Sequence, residues 1–204
     1  MNNAIIRIQQ IELVNFKNVK YGKILFPDYN NQSFFNNKSE IIGVYGQNGS
    51  GKTAMVDAIW ILKHALSGET LPTETIDYIS QNSTTSELKF IFTLERGDEK
   101  YLLYYNVELS KVDDKKVKIS TENLSYKKYI DNEWKSKCGI IEYDCKNIEY
   151  IFTPQKNFKL LVDKSSHNHI ELGVSKKLSE NNMTSFIFSS ETEDIIKKCE
   201  AFRE

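Results

Sequence analysis

Little in this chain is extreme, and each thing it lacks narrows the function. Its 204 residues carry 27 Lys and Arg against 28 Asp and Glu, a formal net charge of -1. The basic excess with which a strongly cationic nucleic-acid binder neutralises phosphates is missing. No apolar run approaches the roughly 20 residues of a helical membrane span. The N-terminus has only Arg7 beside a short Ile-rich stretch, without the charged region, apolar core and cleavage site of a secretory leader. The expectation is a cytoplasmic protein without membrane contact. Cysteine is scarce and odd in number: Cys138, Cys145 and Cys199, with no Cys-x-x-Cys spacing. That argues against a disulfide framework and a zinc cluster, and for reduced thiols.

What is present suffices for one sizeable core, or a core plus an appendage, since 40% of residues are apolar. Ile5 to Val14 is rich in β-branched residues, with Ile11 and Leu13 alternating against Gln10 and Glu12, and reads as a first strand. A short apolar run at Ile24-Leu25-Phe26 follows, then a surface loop from Pro27 to Ser39 crowded with turn formers. Ile41-Ile42-Gly43-Val44-Tyr45 has the continuous apolar pattern of a strand buried on both faces. From Lys52 to about Leu66 the chain reads as a helix with few polar positions, buried all round and ended by Gly68. Leu88 to Leu94 and Tyr101 to Leu109 alternate on either side of Arg96-Gly97-Asp98-Glu99, the pattern of an antiparallel hairpin. Val117 to Leu124, Gly139 to Tyr143 and Ile148 to Phe152 read as further strands, closed by Pro154. The tail from Leu172 reads as helix in pieces, broken at Asn181-Asn182.

The chemistry sits in one loop. Gly46-Gln47-Asn48-Gly49-Ser50-Gly51-Lys52-Thr53 matches G-x-x-x-x-G-K-[ST] in full. Chance supplies such a match in a chain of this size on the order of one time in a hundred. A strand pattern enters the loop and a helix pattern leaves it, as the motif requires. Glycine at 46, 49 and 51 lets successive N–H groups turn inward, and the following helix adds its positive end, so the loop is an anion site for the phosphates of ATP. Lys52 supplies a mobile charge to the β- and γ-phosphates, and the Thr53 hydroxyl suits one coordination position of Mg²⁺.

Val14-Asn15-Phe16-Lys17-Asn18, the stretch Ile42 to Thr53 and Val56-Asp57-Ala58-Ile59 together resemble the N-terminal half of an ABC-type ATPase head. The branch is the SMC/RecF-like one, which includes AAA-family, OLD-like and phage-defence ATPases. The resemblance covers residues 1–68 and is topological over the hairpins at 87–152. It implies an α/β fold: a P-loop NTPase core of strand, loop and helix at 1–70, an antiparallel β lobe at 85–155, and the start of a helical connecting segment at 156–204. It also implies ATP sandwiched between two heads, hence a homodimer formed through ATP in the full protein, with hydrolysis dependent on a glutamate after a Walker B strand. Neither that strand nor a signature loop is visible: Leu178 to Asn182 lacks the signature glycines, and the apolar run before Asp163 is short and followed by lysine. The chain is therefore expected to be a fragment lacking the C-terminal half of its head, one that binds ATP and hydrolyses it only slowly alone.

Weaker signals remain. Gln155 stands where the family places a glutamine that contacts Mg²⁺ and water, against a plain loop glutamine. Phe16 could stack on adenine, against a core aromatic closing a strand. Asp57, one turn after Thr53, reads as structural; Asp163 and Glu142 are the carboxylates to test should the chain prove catalytic. His167 and His169 have no further ligands nearby to make a metal site. Lys111, Lys115, Lys116, Lys118, Lys127 and Lys128, interleaved with Asp113, Asp114 and Glu122, read as solvated hairpin tips, with DNA contact the lesser reading. The leading function is an ATP hydrolase working in DNA metabolism or phage defence. The alternatives are a nucleotide-gated interaction module without turnover and a small P-loop kinase, which would need Asp163 as its Walker B carboxylate.

Overall fold

The computed structural model describes residues 4–26, 42–146, 166–190 and 192–193, with the backbone alone at 166–169 and 182. Seven strands form one sheet: β1 (Ile5–Phe16), β2 (Val19–Leu25), β3 (Thr85–Arg96), β4 (Glu99–Lys111), β5 (Val117–Ile130), β6 (Glu133–Trp134) and β7 (Cys138–Asp144). The ladder order is β2-β1-β3-β4-β5-β6, and β7 pairs with β5 further along the same edge. Every pairing is antiparallel. Among the described residues α1 (Lys52–Leu66) and α2 (Ser166–Asn182) join it, with a short 3-10 helix at Thr73–Tyr78.

Alternation in the sequence becomes one apolar face of this sheet. Leu88, Phe90 and Phe92 of β3 stand opposite Val107, Tyr105 and Leu103 of β4, while Ile11 and Leu13 of β1 pair with Phe90 and Leu88. Onto that core α1 lays Ala54, Ala58, Ile61, Leu62 and Ala65. The turns follow their residue chemistry. Gly97 (φ 62°) leads the two-residue β3–β4 turn, and Asp131 and Asn132 take φ 55° and 60° between β5 and β6, the left-handed pair that short hairpins demand.

Four readings of the sequence change here. Of the strand expected at 41–45, Ile41 lies outside the described residues, and 42–45 belong to no strand. Ile42, Val44 and Tyr45 are 40%, 42% and 93% exposed. No ladder among the described residues includes this segment. The helix at Lys52 is buried on one side only: Val56 and Trp60 are 59% and 45% exposed on the other. The strand expected to end at Leu124 runs on to Ile130. The strand expected at 148–152 lies outside the described residues, as do the loop at 27–39, Pro154 and Cys199.

The fourth concerns Glu122, read as one charge among solvated lysines. It is fully buried. Strict alternation from Val117 and Ile119 would point it outward, but the β4–β5 register slips between Glu108 and Leu109, so that Ser120 is an extra residue on β5. This bulge inverts the inward phase from there on. Glu122 Oε1 then accepts from the Tyr105 hydroxyl at 2.5 Å and the Ser185 hydroxyl at 2.6 Å, and Oε2 from the backbone N–H of Phe186 at 2.7 Å and Ile187 at 3.1 Å. Burial pushes its carboxyl above the usual carboxylate range, with the hydrogen bonds from Ser185, Tyr105, Ile187 and Phe186 pulling the other way. Phe186 stacks on Tyr143 at 4.8 Å, and Phe188 meets Tyr105 edge-on at 5.3 Å. The segment after α2 is thereby fastened to the sheet.

Glu122→Leu strands all four donors and should destabilise the fold by about 3 kcal/mol or more, whereas Glu122→Gln keeps an acceptor for the hydroxyls and should cost less. The carboxyl is raised on folding, so its contribution is complete below the unfolded glutamate value and declines as pH rises toward the folded one. The stability of the native protein relative to Glu122→Gln, measured by urea unfolding, should therefore fall as pH rises above about 4.5. A gap that widened instead would contradict the raised carboxyl.

Candidate functional site

The loop at 46–53 turns directly into α1. Gly49 and Gly51 adopt φ 82° and 89°, and Gly51 is the N-cap of the helix. The first helical bond runs from Met55 N to Gly51 O at 3.2 Å, so the N–H groups just before it have no partner within the helix, and the helix dipole adds partial positive charge there. Residues 42–50 are exposed, and so is Thr53 at the start of the first turn. Lys52 folds back into the loop: Nζ donates to the carbonyls of Gly46 at 2.6 Å and Gln47 at 2.7 Å, with the Ser50 hydroxyl at 3.4 Å. A Cβ added at Gly46 would stand 2.8 Å from the Ser50 hydroxyl oxygen. The loop is thus closed around an ammonium, small in bore and open to solvent.

A second element grips the loop from the sheet side. The β1–β2 turn places three successive residues against it. The Lys17 ammonium pairs with the Asp57 carboxylate on α1. Asn18 Nδ2 donates to the Gly49 carbonyl at 2.6 Å, and Val19 lies where a Cβ on Gly51 would come within 2.9 Å of its Cγ2. The turn is itself held. Lys17 N donates to Tyr78 O at 2.6 Å, the Ser80 hydroxyl donates to Lys17 O at 2.7 Å, and the Lys17 ammonium lies 4.9 Å over the Tyr78 ring. Burial raises the Tyr78 hydroxyl, Asp57 adds to the rise, and Lys17 opposes it.

The other sequence candidates fall as follows. Phe16 is fully buried and packs edge-on against Tyr78 at 5.6 Å; it is a core residue and stacks on no adenine. Asp57 is structural, engaged with Lys17. Glu142 is exposed on β7, in register with Asn123. Gln155 and Asp163 lie outside the described residues. His167 and His169 lie on the backbone of α2, their side chains outside the described residues. Leu178 to Asn182 form the last turns of α2, with Ser179 buried and Glu180 accepting from the Tyr143 hydroxyl at 3.4 Å. Lys128 is no free tip: it pairs with Glu99 at 2.7 Å, and Lys128 followed by Arg96 holds that carboxyl down at about 2. Lys115 and Lys116 stay exposed at the β4–β5 turn. Among the described residues no three His, Cys, Asp or Glu gather into a metal site.

Reasoning from the sequence did not find Lys17 and Asn18 as partners of the loop. Both stand in the string that carries the resemblance, but 31 residues separate Asn18 from Gly49, and only the reversal of the chain at the β1–β2 turn brings them together. A family model described as AAA domain matches residues 10–204. No curated protein matches the chain.

Gly49 and Gly51, the loop glycines at positive φ, differ in surroundings. A Cβ at Gly49 meets nothing within 4 Å, whereas at Gly51 it meets Val19. Gly49→Ala should cost about 1–2 kcal/mol from the left-handed backbone alone, and Gly51→Ala should cost more, because Val19 must also shift. Urea melts of the two variants give the order, and the reverse order would contradict the close packing of the β1–β2 turn on the loop.

Proposed function

The chain belongs to the AAA domain family of ATPases, and from that premise we propose that it binds ATP with Mg²⁺ at the loop Gly46 to Thr53. The observation that carries the reading is the Lys52 ammonium seated on the carbonyls of Gly46 and Gln47, inside a loop whose glycines hold φ 82° and 89°. A cation already resting on oxygens in a solvent-open cradle exchanges those carbonyls for β- and γ-phosphate oxygens, which carry full charge and bind it more strongly. The N–H groups of the loop and of the first turn of α1 take the remaining phosphate oxygens. The residues fit the metal as well: Thr53, exposed and next to Lys52, offers a hard hydroxyl oxygen of the kind Mg²⁺ prefers. Mg²⁺ bound there would offset charge on the β- and γ-phosphates.

This arrangement supports binding and positioning, which act on the ground state. Rate enhancement also needs a group that orients the attacking water and donors that strengthen in the transition state. We assign hydrolysis to a head completed by its C-terminal half and paired with a second copy through ATP, with Gln155 as a further Mg²⁺ contact. The biological setting we propose is cytoplasmic, in DNA metabolism or phage defence; the support for these points is the resemblance of residues 1–68 to SMC/RecF-like heads. Among the described residues no helix is long and apolar enough to cross a membrane.

Two substitutions test the site together. Lys52→Ala should leave the unliganded melting temperature unchanged and abolish the stabilisation that ATP with Mg²⁺ gives the native chain. Thr53→Ala should weaken binding in Mg²⁺ more than in EDTA. Undiminished stabilisation of Lys52→Ala by ATP would remove the site from this loop, and equal losses of Thr53→Ala in both buffers would remove the metal role from Thr53.

A further inference from the structure

We propose that Asn18 is a positioning residue for nucleotide binding, locking the Gly49–Ser50 peptide so that its carbonyl faces away from the phosphates. The inference rests on the reading of the loop as the ATP site and adds a residue outside the motif to it. The need for such a lock follows from the loop's composition. The Gly49–Ser50 peptide follows a glycine at φ 82°, and a Cβ built on Gly49 would meet nothing within 4 Å, so no packing on that side limits it. A peptide with glycine on its N-terminal side rotates about its long axis at little steric cost. Rotated by half a turn, it would aim its carbonyl oxygen into the anion site and its N–H outward, replacing attraction by repulsion at the place where phosphate charge must be met.

Two bonds oppose that rotation, one at each edge of the peptide. Ser50 N donates to Gln47 O at 3.2 Å, a bond within the loop that moves when the loop moves. Asn18 Nδ2 donates to Gly49 O at 2.6 Å from outside, and its own position is set by the sheet. Phe16 and Val19 are ladder partners on either side of the turn. The backbone of Lys17 is bonded through N to Tyr78 O and through O to the Ser80 hydroxyl, and its side chain is tied to Asp57 on α1. Asn18 therefore transmits the rigidity of β1 and β2 to the Gly49–Ser50 peptide. A loop held in its binding conformation gives up less entropy when the ligand arrives.

The test uses the full 204-residue chain with two readouts, calorimetric affinity for ATP with Mg²⁺ and backbone ¹⁵N order parameters without nucleotide. Asn18→Ala should weaken ATP affinity about threefold to tenfold, the worth of one hydrogen bond, with the unliganded melting temperature unchanged. Order parameters at Gly49 and Ser50 should fall from the ~0.85 of rigid backbone toward ~0.6 while those of α1 beyond Met55 stay as they were. Native affinity together with native order parameters would overturn the proposal. So would an affinity loss that tracks a general drop in melting temperature, since that describes a residue supporting the fold alone. Lys52→Ala is the control that separates the two levels. If it still binds ATP, the reading of the loop as the nucleotide site fails, and the order parameters alone decide whether Asn18 holds the loop.

Discussion

A carboxyl group taken wholly out of water must have its oxygens met by donors, and Glu122 meets that condition by drawing in a distant piece of chain. Two of its four partners are backbone N–H groups of Phe186 and Ile187, and a third is the Ser185 hydroxyl. The segment after α2 therefore has one register against the sheet. The rest of the helical side follows from it. Met183 O accepts from Leu71 N at 3.0 Å, and a Cβ on Gly68, just beyond the end of α1, would collide with Phe188 O. The C-terminal end of α1 is seated by the same segment that Glu122 holds. Because a helix is stiff over its 15 residues, seating one end aims the other, and the aimed end carries the glycine-rich loop. An apolar residue at position 122 would pack, but it would give those N–H groups no partner and the segment no unique register.

The loop combines freedom and restraint in a way that suits ligand binding. It is exposed, it contains glycine at the positions of positive φ, and its lysine is bonded to its own carbonyls. Left alone, such a loop would sample many shapes and bind an anion weakly, the ordering entropy being subtracted from the affinity. Two rigid bodies limit that sampling. One is α1, whose alanine-rich face lies on the core. The other is the β1–β2 turn, which reaches Gly49, Gly51 and Asp57 with three successive residues. The small apolar side chains and the ion pair that hold α1 thus act on the shape of the loop without belonging to it.

Much of this was legible in advance where a local rule decides. The hairpin at 85–111 was readable because its strands alternate and a Gly-Asp turn separates them; the observed pairs Leu88 with Val107 and Phe90 with Tyr105 follow from that alternation. The ends of α1 were readable for the same reason: the motif sets its start and Gly68 its stop. Other features were not readable because the deciding partner is remote. The apolar run before the loop carries the pattern of a two-faced strand, yet pattern alone does not supply neighbours, and 42–45 pair with no strand among the described residues. The apolar residues of α1 are spread around the helix, but only those facing the sheet are buried. Phe16, an aromatic closing a strand, reads more readily as core than as an adenine contact, and its burial against the Tyr78 ring agrees with the core reading.

By itself the sequence determined the make-up of the loop: glycines, lysine and threonine stand at set spacing before a helix, and that spacing depends only on residues adjacent in the chain. It also determined that 88–94 and 101–109 extend and that 52–66 coils, since their periodicity is a local property. The tertiary structure alone decided what Glu122, Lys17 and Asn18 do. The phase of Glu122 is set by one extra residue at Ser120, a slip that only the opposing strand defines. Asn18 and Lys17 acquire their roles from Gly49 and Asp57, 31 and 40 positions away. A polar side chain takes its meaning from the partner it finds, and such partners are chosen when the chain closes on itself.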